Sequence, residues 1–143
     1  MSIATIERNL TEEDVHASLA KSMDRFARAD VDGILSRYDD DILIRFADLP
    51  EIRGKAAAEK FLRARFAAQE DYKVTKTFLL VAGQKYGNNF TASWNDKSSG
   101  KRYEGRGVEI LQLRNGKVVQ WDCSYNIWES GKAIENSYFG KFL

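Results

Sequence analysis

One cysteine, one proline and one histidine occur in 143 residues, and each scarcity excludes something. Cys123 has no partner for an internal disulfide, so the chain is not a disulfide scaffold, and a reducing, cytoplasmic setting is expected. His16 stands alone, and no Cys or His partner lies at ligand spacing, so neither a metal nor a cofactor is expected. Charge of either sign is not in excess: 22 Lys and Arg face 21 Asp and Glu, a net charge of +1. That leaves no basic footprint for nucleic acid. No apolar run approaches the ~20 residues of a membrane span, and Ile3, Ala4 and Ile6 are interrupted by Thr5, Glu7 and Arg8, so no signal-type apolar segment is expected. Phosphate-loop, dinucleotide and nucleophile-elbow patterns are missing as well.

What is present is a chain rich in aromatics, at 12%. Its length suits a single domain, 1–143, able to bury roughly 70% of the surface its unfolded chain exposes. After an N-terminal arm over 1–10, Thr11 reads as an N-cap with Asp14 three residues on and Leu10 placed to staple against Val15. Val15, Leu19, Met23 and Phe26 then form one apolar stripe, predicting a helix to about Ala29. Asp30 caps a short second helix over 31–38, and three acids, 39–41, mark its exit. A short strand over 42–46 precedes a loop, 47–54, in which Pro50 and Gly54 discourage regular structure. Ala58, Phe61, Leu62 and Phe66 share a face of a third helix from Lys55 to about Gln69. β-rich segments over 72–82 and 88–95 lead into a long hairpin, 102–114 and 117–128. The tail carries Tyr138, Phe139 and Phe142 and is expected to dock. Helices followed by consecutive strands describe an α+β domain with helices gathered on one face of a curved, mostly antiparallel sheet.

The hairpin gives the sharpest geometric expectation. Asn115-Gly116 suits a type I′ turn, in which both central residues take positive φ. An unbroken ladder from that turn opposes Glu109 to Asp122 on one face, together with Gly105, Gly107, Leu111 and Leu113. The other face then carries Val108, Ile110, Val119, Trp121, Cys123 and Tyr125, an apolar patch too large for solvent and suited to a homodimer. Two facing carboxylates have two readings. They share a proton, one as general acid and its partner as base. Alternatively a cation such as Arg102, Arg106 or Arg63 neutralises them, or a β-bulge breaks the register and sends one to solvent.

Three stretches, ARADVDGILSRYDDD (27–41), LPEIRGKAAAEKFL (49–62) and GVEILQLRNGKVVQW (107–121), resemble the nuclear transport factor 2-like superfamily, the cone-shaped fold shared with ketosteroid isomerases and SnoaL-type polyketide cyclases. FLRARFAAQEDYKV, SWNDKSSGKRY, GVE and SYN are similar to a functionally uncharacterised group within it. The resemblance implies helices enclosing a pocket on the concave sheet face, and a homodimer through the opposite face. It sets Glu109 near the position of an oxyanion-donating acid in ketosteroid isomerases. Phe46 stands where those enzymes keep a general base, with Asp48 two residues on, and Asn126 stands where SnoaL-type cyclases keep theirs.

The expected site therefore comprises Glu109 and Asp122 as proton carriers and Asp48 as reserve base. Asn126, Trp94, Tyr103, Tyr38 and Arg45 would contact substrate. The function expected is a cofactor-independent acid-base isomerase, cyclase or hydratase acting on a small, largely apolar molecule. The alternative is a dimeric module that binds a small molecule or a protein without chemistry.

Overall fold

The computed structural model describes residues 7–135 and 137–143, so most of the N-terminal arm lies outside the described residues. The element order is α1 (Glu12–Ala27), α2 (Val31–Leu35), β1 (Tyr38–Phe46), β2 (Ile52–Arg53), α3 (Lys55–Ala68), β3 (Gln69–Ala82), β4 (Lys85–Asp96), β5 (Arg102–Arg114) and β6 (Lys117–Glu129), closed by a 3-10 turn (Tyr138–Phe142). α1 opens with a complete capping box, the Thr11 side chain accepting from the Asp14 N–H while the Asp14 carboxylate accepts from the Thr11 N–H. Asp30 caps α2 through the Gly33 N–H. Both caps satisfy helix-end donors that would otherwise lack partners. Gly54 is the N-cap of α3, and its φ of +87° is one that few residues other than glycine adopt without strain.

The six strands lie in the order β2-β1-β6-β5-β4-β3, antiparallel throughout except for the parallel β1–β6 pair. This is the α+β architecture expected, three helices on a curved sheet. β1 begins four residues earlier than expected, because Asp39 to Asp41 lie within the strand and not in an exit loop. A two-residue strand, β2, also forms in the Pro50–Gly54 loop against Leu43 and Ile44. α1 packs chiefly on β3, and Val15, Ile42, Ile44 and Leu62 are fully buried between the layers. Tyr138, Phe139 and Phe142 do not dock on the sheet. Their rings pack on one another at 5.2 to 6.2 Å and remain about two-thirds exposed.

The hairpin turn forms as expected, with φ of 51° at Asn115 and 74° at Gly116, but the ladder beyond it does not run unbroken. Arg114 faces Lys117 and Leu113 faces Val118, after which Gln112 faces Gln120. Val119 is the extra residue of a β-bulge. From there every partner moves by one, so Glu109 faces Cys123, Leu111 faces Trp121, and Asp122 faces Ile110. A one-residue slip carries every following side chain to the opposite face. Val118, Trp121, Cys123 and Tyr125 thus all point toward the helices, and Asp122, Ser124 and Asn126 point away. The bulge is the solution that puts an indole in the core and leaves a carboxylate outside it. A buried unpaired charge would cost several kcal/mol.

Candidate functional site

On the concave face, alternation along each central strand brings one polar residue per strand to the same level. β3 contributes Lys76, opposite Phe90; β4 contributes Asn88, opposite Glu109 of β5. Lys76 and Glu109 form an ion pair, Nζ to Oε1 at 2.6 Å, with side chains only 8% and 3% exposed. Lys76 Nζ also donates to Ser22 Oγ of α1 at 3.0 Å and lies 5.3 Å from the centre of the Phe26 ring. Asn88 Nδ2 donates to the same Glu109 oxygen at 3.2 Å, and Trp121 Nε1 donates to Oε2 at 2.8 Å. Three donors thus converge on Glu109 in an apolar interior, one of them the Lys76 ammonium.

This pair forms a partition between two narrow clefts that share Phe26, Lys76, Glu109 and Trp121. The first has a cavity volume of about 40 Å³. Its walls are Ile34, Leu111 and Val118, with the phenols of Tyr38 and Tyr86, and Arg25 and Arg37 stand at its edge. The second, with a cavity volume of about 20 Å³, lies beside Phe46, Tyr72, Phe90, Cys123 and Tyr125. Arg65 closes it, its guanidinium 4.9 Å from the centre of Phe46 and 5.5 Å from that of Tyr72. Burial, then the nearby Glu109 charge, pushes the Tyr38 hydroxyl well above the usual phenol range. Burial and Glu109 also push Tyr86 up to about 12, against the pull of Arg37. Both phenols therefore stay protonated and are available as neutral hydrogen-bond donors beside a carboxylate.

Beyond the second cleft the interior is filled by an aromatic column. Phe90 stacks on Tyr125 at 4.9 Å, and Trp94 stacks between Tyr72 and Tyr103 at 5.8 and 6.0 Å. The rings lie directly over β5 because Gly105 and Gly107 leave room. A Cβ on Gly107 would sit 2.7 Å from Phe90 and 2.0 Å from the Ser124 carbonyl.

Of the residues expected at the site, the structure brings Glu109 and Tyr38 together. The expected Glu109–Asp122 pair does not form. Asp122 is 38% exposed on the outer face, 3.8 Å from Arg45 and accepting from Gln120, since the bulge at Val119 changes its parity. Asn126 follows Asp122 outward and is exposed, as is Asp48 in the turn after β1. Arg45 lies outside too, bridging Asp122 and Glu51. Trp94 is buried in the aromatic column, and Tyr103 lies beside Trp128 in a groove near the tail. The neutralising cation is none of Arg102, Arg106 or Arg63 but Lys76. The outer apolar patch also loses Trp121, Cys123 and Tyr125 to the interior, leaving Val108 and Ile110 exposed at 46% and 41%. Lys76, Ser22, Asn88 and Tyr86 were not expected. A signal for Lys76 existed, since it takes an apolar turn in the alternation Tyr72, Val74, Lys76, Phe78. Among the described residues no cluster of His, Cys, Asp or Glu is placed to hold a metal, and no helix is long and apolar enough to cross a membrane.

Comparison with known proteins extends this picture. A candidate isomerase from Bacillus subtilis superposes with a TM-score of 0.72 at 18% identity, covering 90% of this chain and 94% of its own. A candidate polyketide cyclase from Silicibacter sp. gives 0.72 at 17% identity, covering 82% and 93%. An epoxide hydrolase of the LEH-like type from M. tuberculosis gives 0.66 at 14% identity, covering 77% and 80%. At such identities the likeness is one of fold. No functionally curated protein matches the chain. The sequence itself is more specific: residues 19–121 match the SnoaL-like domain, which spans well over half of the chain from α1 to the Trp121 that holds Glu109, and the protein belongs to that family.

Proposed function

We propose that this protein is a cofactor-independent acid-base enzyme of the isomerase or cyclase type, acting on a small carbonyl compound held in the Tyr38–Glu109 cleft. The observation that carries the reading is a buried carboxylate paired with Lys76 at the floor of an apolar cleft, with two protonated phenols alongside. Glu109 would take a proton from the carbon next to the substrate carbonyl. Charge then passes from the carboxylate to the carbonyl oxygen, where Tyr38 or Tyr86 donates a hydrogen bond and Lys76 remains close enough to offset it. Where a C=C bond adjoins the resulting enolate, return of the proton to its far carbon shifts the double bond and gives isomerisation. Attack of the α-carbon on a second carbonyl closes a ring, and the alkoxide formed takes the proton back from Glu109. Asp122, Asn126, Asp48 and Arg45, facing outward, have no part in this scheme.

A panel of small ketones and dicarbonyl compounds, incubated with the protein and followed by mass spectrometry, tests the reading. Conversion abolished in Glu109→Gln supports it, and conversion unchanged in that variant contradicts it. A second reading has one observation in its favour. Both Glu109 oxygens already hold donors, as they would in a purely architectural ion pair, and a binding module would return every member of the panel unchanged.

We further propose homodimerisation through the outer sheet face, where Leu80, Val108 and Ile110 surround Gly87. Val108→Asp with Ile110→Asp should give a monomer by light scattering. A dimer that persists places the contact elsewhere.

A further inference from the structure

We propose that Arg25 and Arg37 form an anion anchor at the mouth of the Glu109 cleft, and that the molecule held there has an apolar body ending in a carboxylate or phosphate oxyanion. The proposal names the substrate class of the site above and rests on the reading that this cleft is where ligand binds. Surface arginines of this chain mostly lie against carboxylates: Arg8 on Asp14, Arg28 on Asp24, Arg63 on Asp32 and Glu59, and Arg114 on Asp39. Arg25 and Arg37 do not, and nor, among the described residues, do Arg65, Arg102 and Arg106, but of these five only Arg25 and Arg37 line the Tyr38–Glu109 cleft. Among the described residues neither has a carboxylate within 4.0 Å, Arg37 reaching only Ser18 Oγ at 3.4 Å.

Arg25 Nη1 is moreover shut off from solvent with no hydrogen-bond partner. A buried guanidinium donor without an acceptor is costly, and an arriving oxyanion relieves that cost. Both arginines line the interior cleft and also a groove on the outer side of α1. They therefore stand where the interior meets the surface. Inside, the charge of Lys76 is balanced by Glu109; in the groove, Arg8 is balanced by Asp14, and Lys21 adds a further positive charge. The passage is cationic and the cleft behind it apolar. A ligand matching both places its anionic head between the two planar guanidinium forks and its carbon chain against Phe26, Leu111 and Trp121. The reacting carbon at Glu109 then belongs to the body of the molecule, away from the head.

Calorimetric titration with hexanoate, hexyl phosphate and 1-hexanol tests the anchor. At least one anion should bind about tenfold more tightly than the alcohol, and that preference should weaken with added salt. In Arg25→Gln and in Arg37→Gln, made separately and checked for folding by thermal melting, the preferred anion should fall to within about twofold of 1-hexanol. The better anion identifies the head group. The proposal is overturned if neither anion outbinds 1-hexanol, if no probe binds at millimolar concentration, or if the preference survives in both variants. Glu109→Gln separates the two readings. Lost anion preference beside intact ketone conversion sinks the anchor alone, whereas anion preference kept while Glu109→Gln converts ketones at the wild-type rate sinks the acid-base reading alone.

Discussion

A lysine and a glutamate 2.6 Å apart, both almost wholly removed from solvent, are an expensive way to fill a core. Hydrophobic residues of similar volume would serve stability as well or better, which is why the pair reads as functional equipment. Its cost also makes it easy to test. Lys76→Met leaves the Glu109 carboxylate buried with only Asn88 and Trp121 to support it and should destabilise the protein by about 3–5 kcal/mol. Adding Glu109→Gln to that variant should recover a good part of the loss, as chemical denaturation of the single and double variants would show; additive losses would mean that the two residues do not act as a pair. Glu109 was legible in the sequence as a carboxylate on an apolar face, and Tyr38 as an aromatic near the pocket. Lys76 was hidden by its type, since lysine on a strand is normally solvated, although its place among Tyr72, Val74 and Phe78 gave it away.

At the level of the element, the β5–β6 hairpin decides which residues see the cleft. Its turn was legible from Asn115-Gly116 alone, because the need for two positive φ angles is local. Its faces were not, because they depend on one inserted residue four positions further along the ladder. The change of parity is nonetheless written in β6: Val118 is apolar at an even position, and Trp121, Cys123 and Tyr125 are apolar at odd ones, with Gln120, Asp122, Ser124 and Asn126 between them. A strand that buries both sets on one side must bulge between 118 and 120. Deleting Val119 removes the extra residue and leaves a regular ladder with every facing pair kept, Val118 still opposite Leu113, Trp121 still opposite Leu111 and Asp122 still outside. The variant should keep a cooperative thermal transition and the near-ultraviolet circular dichroism of the wild type, whereas loss of both would contradict the assignment of Val119 as the extra residue.

For the whole molecule, burial of titratable groups in one cone has a collective effect on stability. Burial, then the Glu109 charge, pushes the Cys123 thiol up to about 12; Tyr86 rises to about 12; Tyr38 is raised too, and Tyr125 by burial and then by Tyr72. Each folded-state value lies above its unfolded one, so the folded protein holds these protons more tightly. Their contribution is complete below about pH 9 and is lost as pH rises toward and past 12. The thermal midpoint should stay level from pH 7 to 9 on their account and fall beyond, and in Tyr138→Phe, which removes the exposed phenol, most of the tyrosinate absorbance should appear together with unfolding. Tyrosinate formation well before unfolding would place these phenols at the surface. The cone was legible from the order of elements and three local motifs, whereas the two clefts within it were not, since they are set by contacts between strands far apart in sequence.

All of the chemistry proposed for the cleft depends on Glu109 moving a proton. Incorporation of solvent deuterium at the α-carbons of cyclohexanone and 5-oxohexanoate, followed by proton NMR, measures that step without requiring the natural product. The wild type should accelerate exchange of at least one of them above the buffer rate, and Glu109→Gln, shown to be folded at the temperature of measurement, should be slower by about 10²- to 10⁴-fold. Equal rates in the two proteins, or no exchange above buffer with either compound, would contradict it.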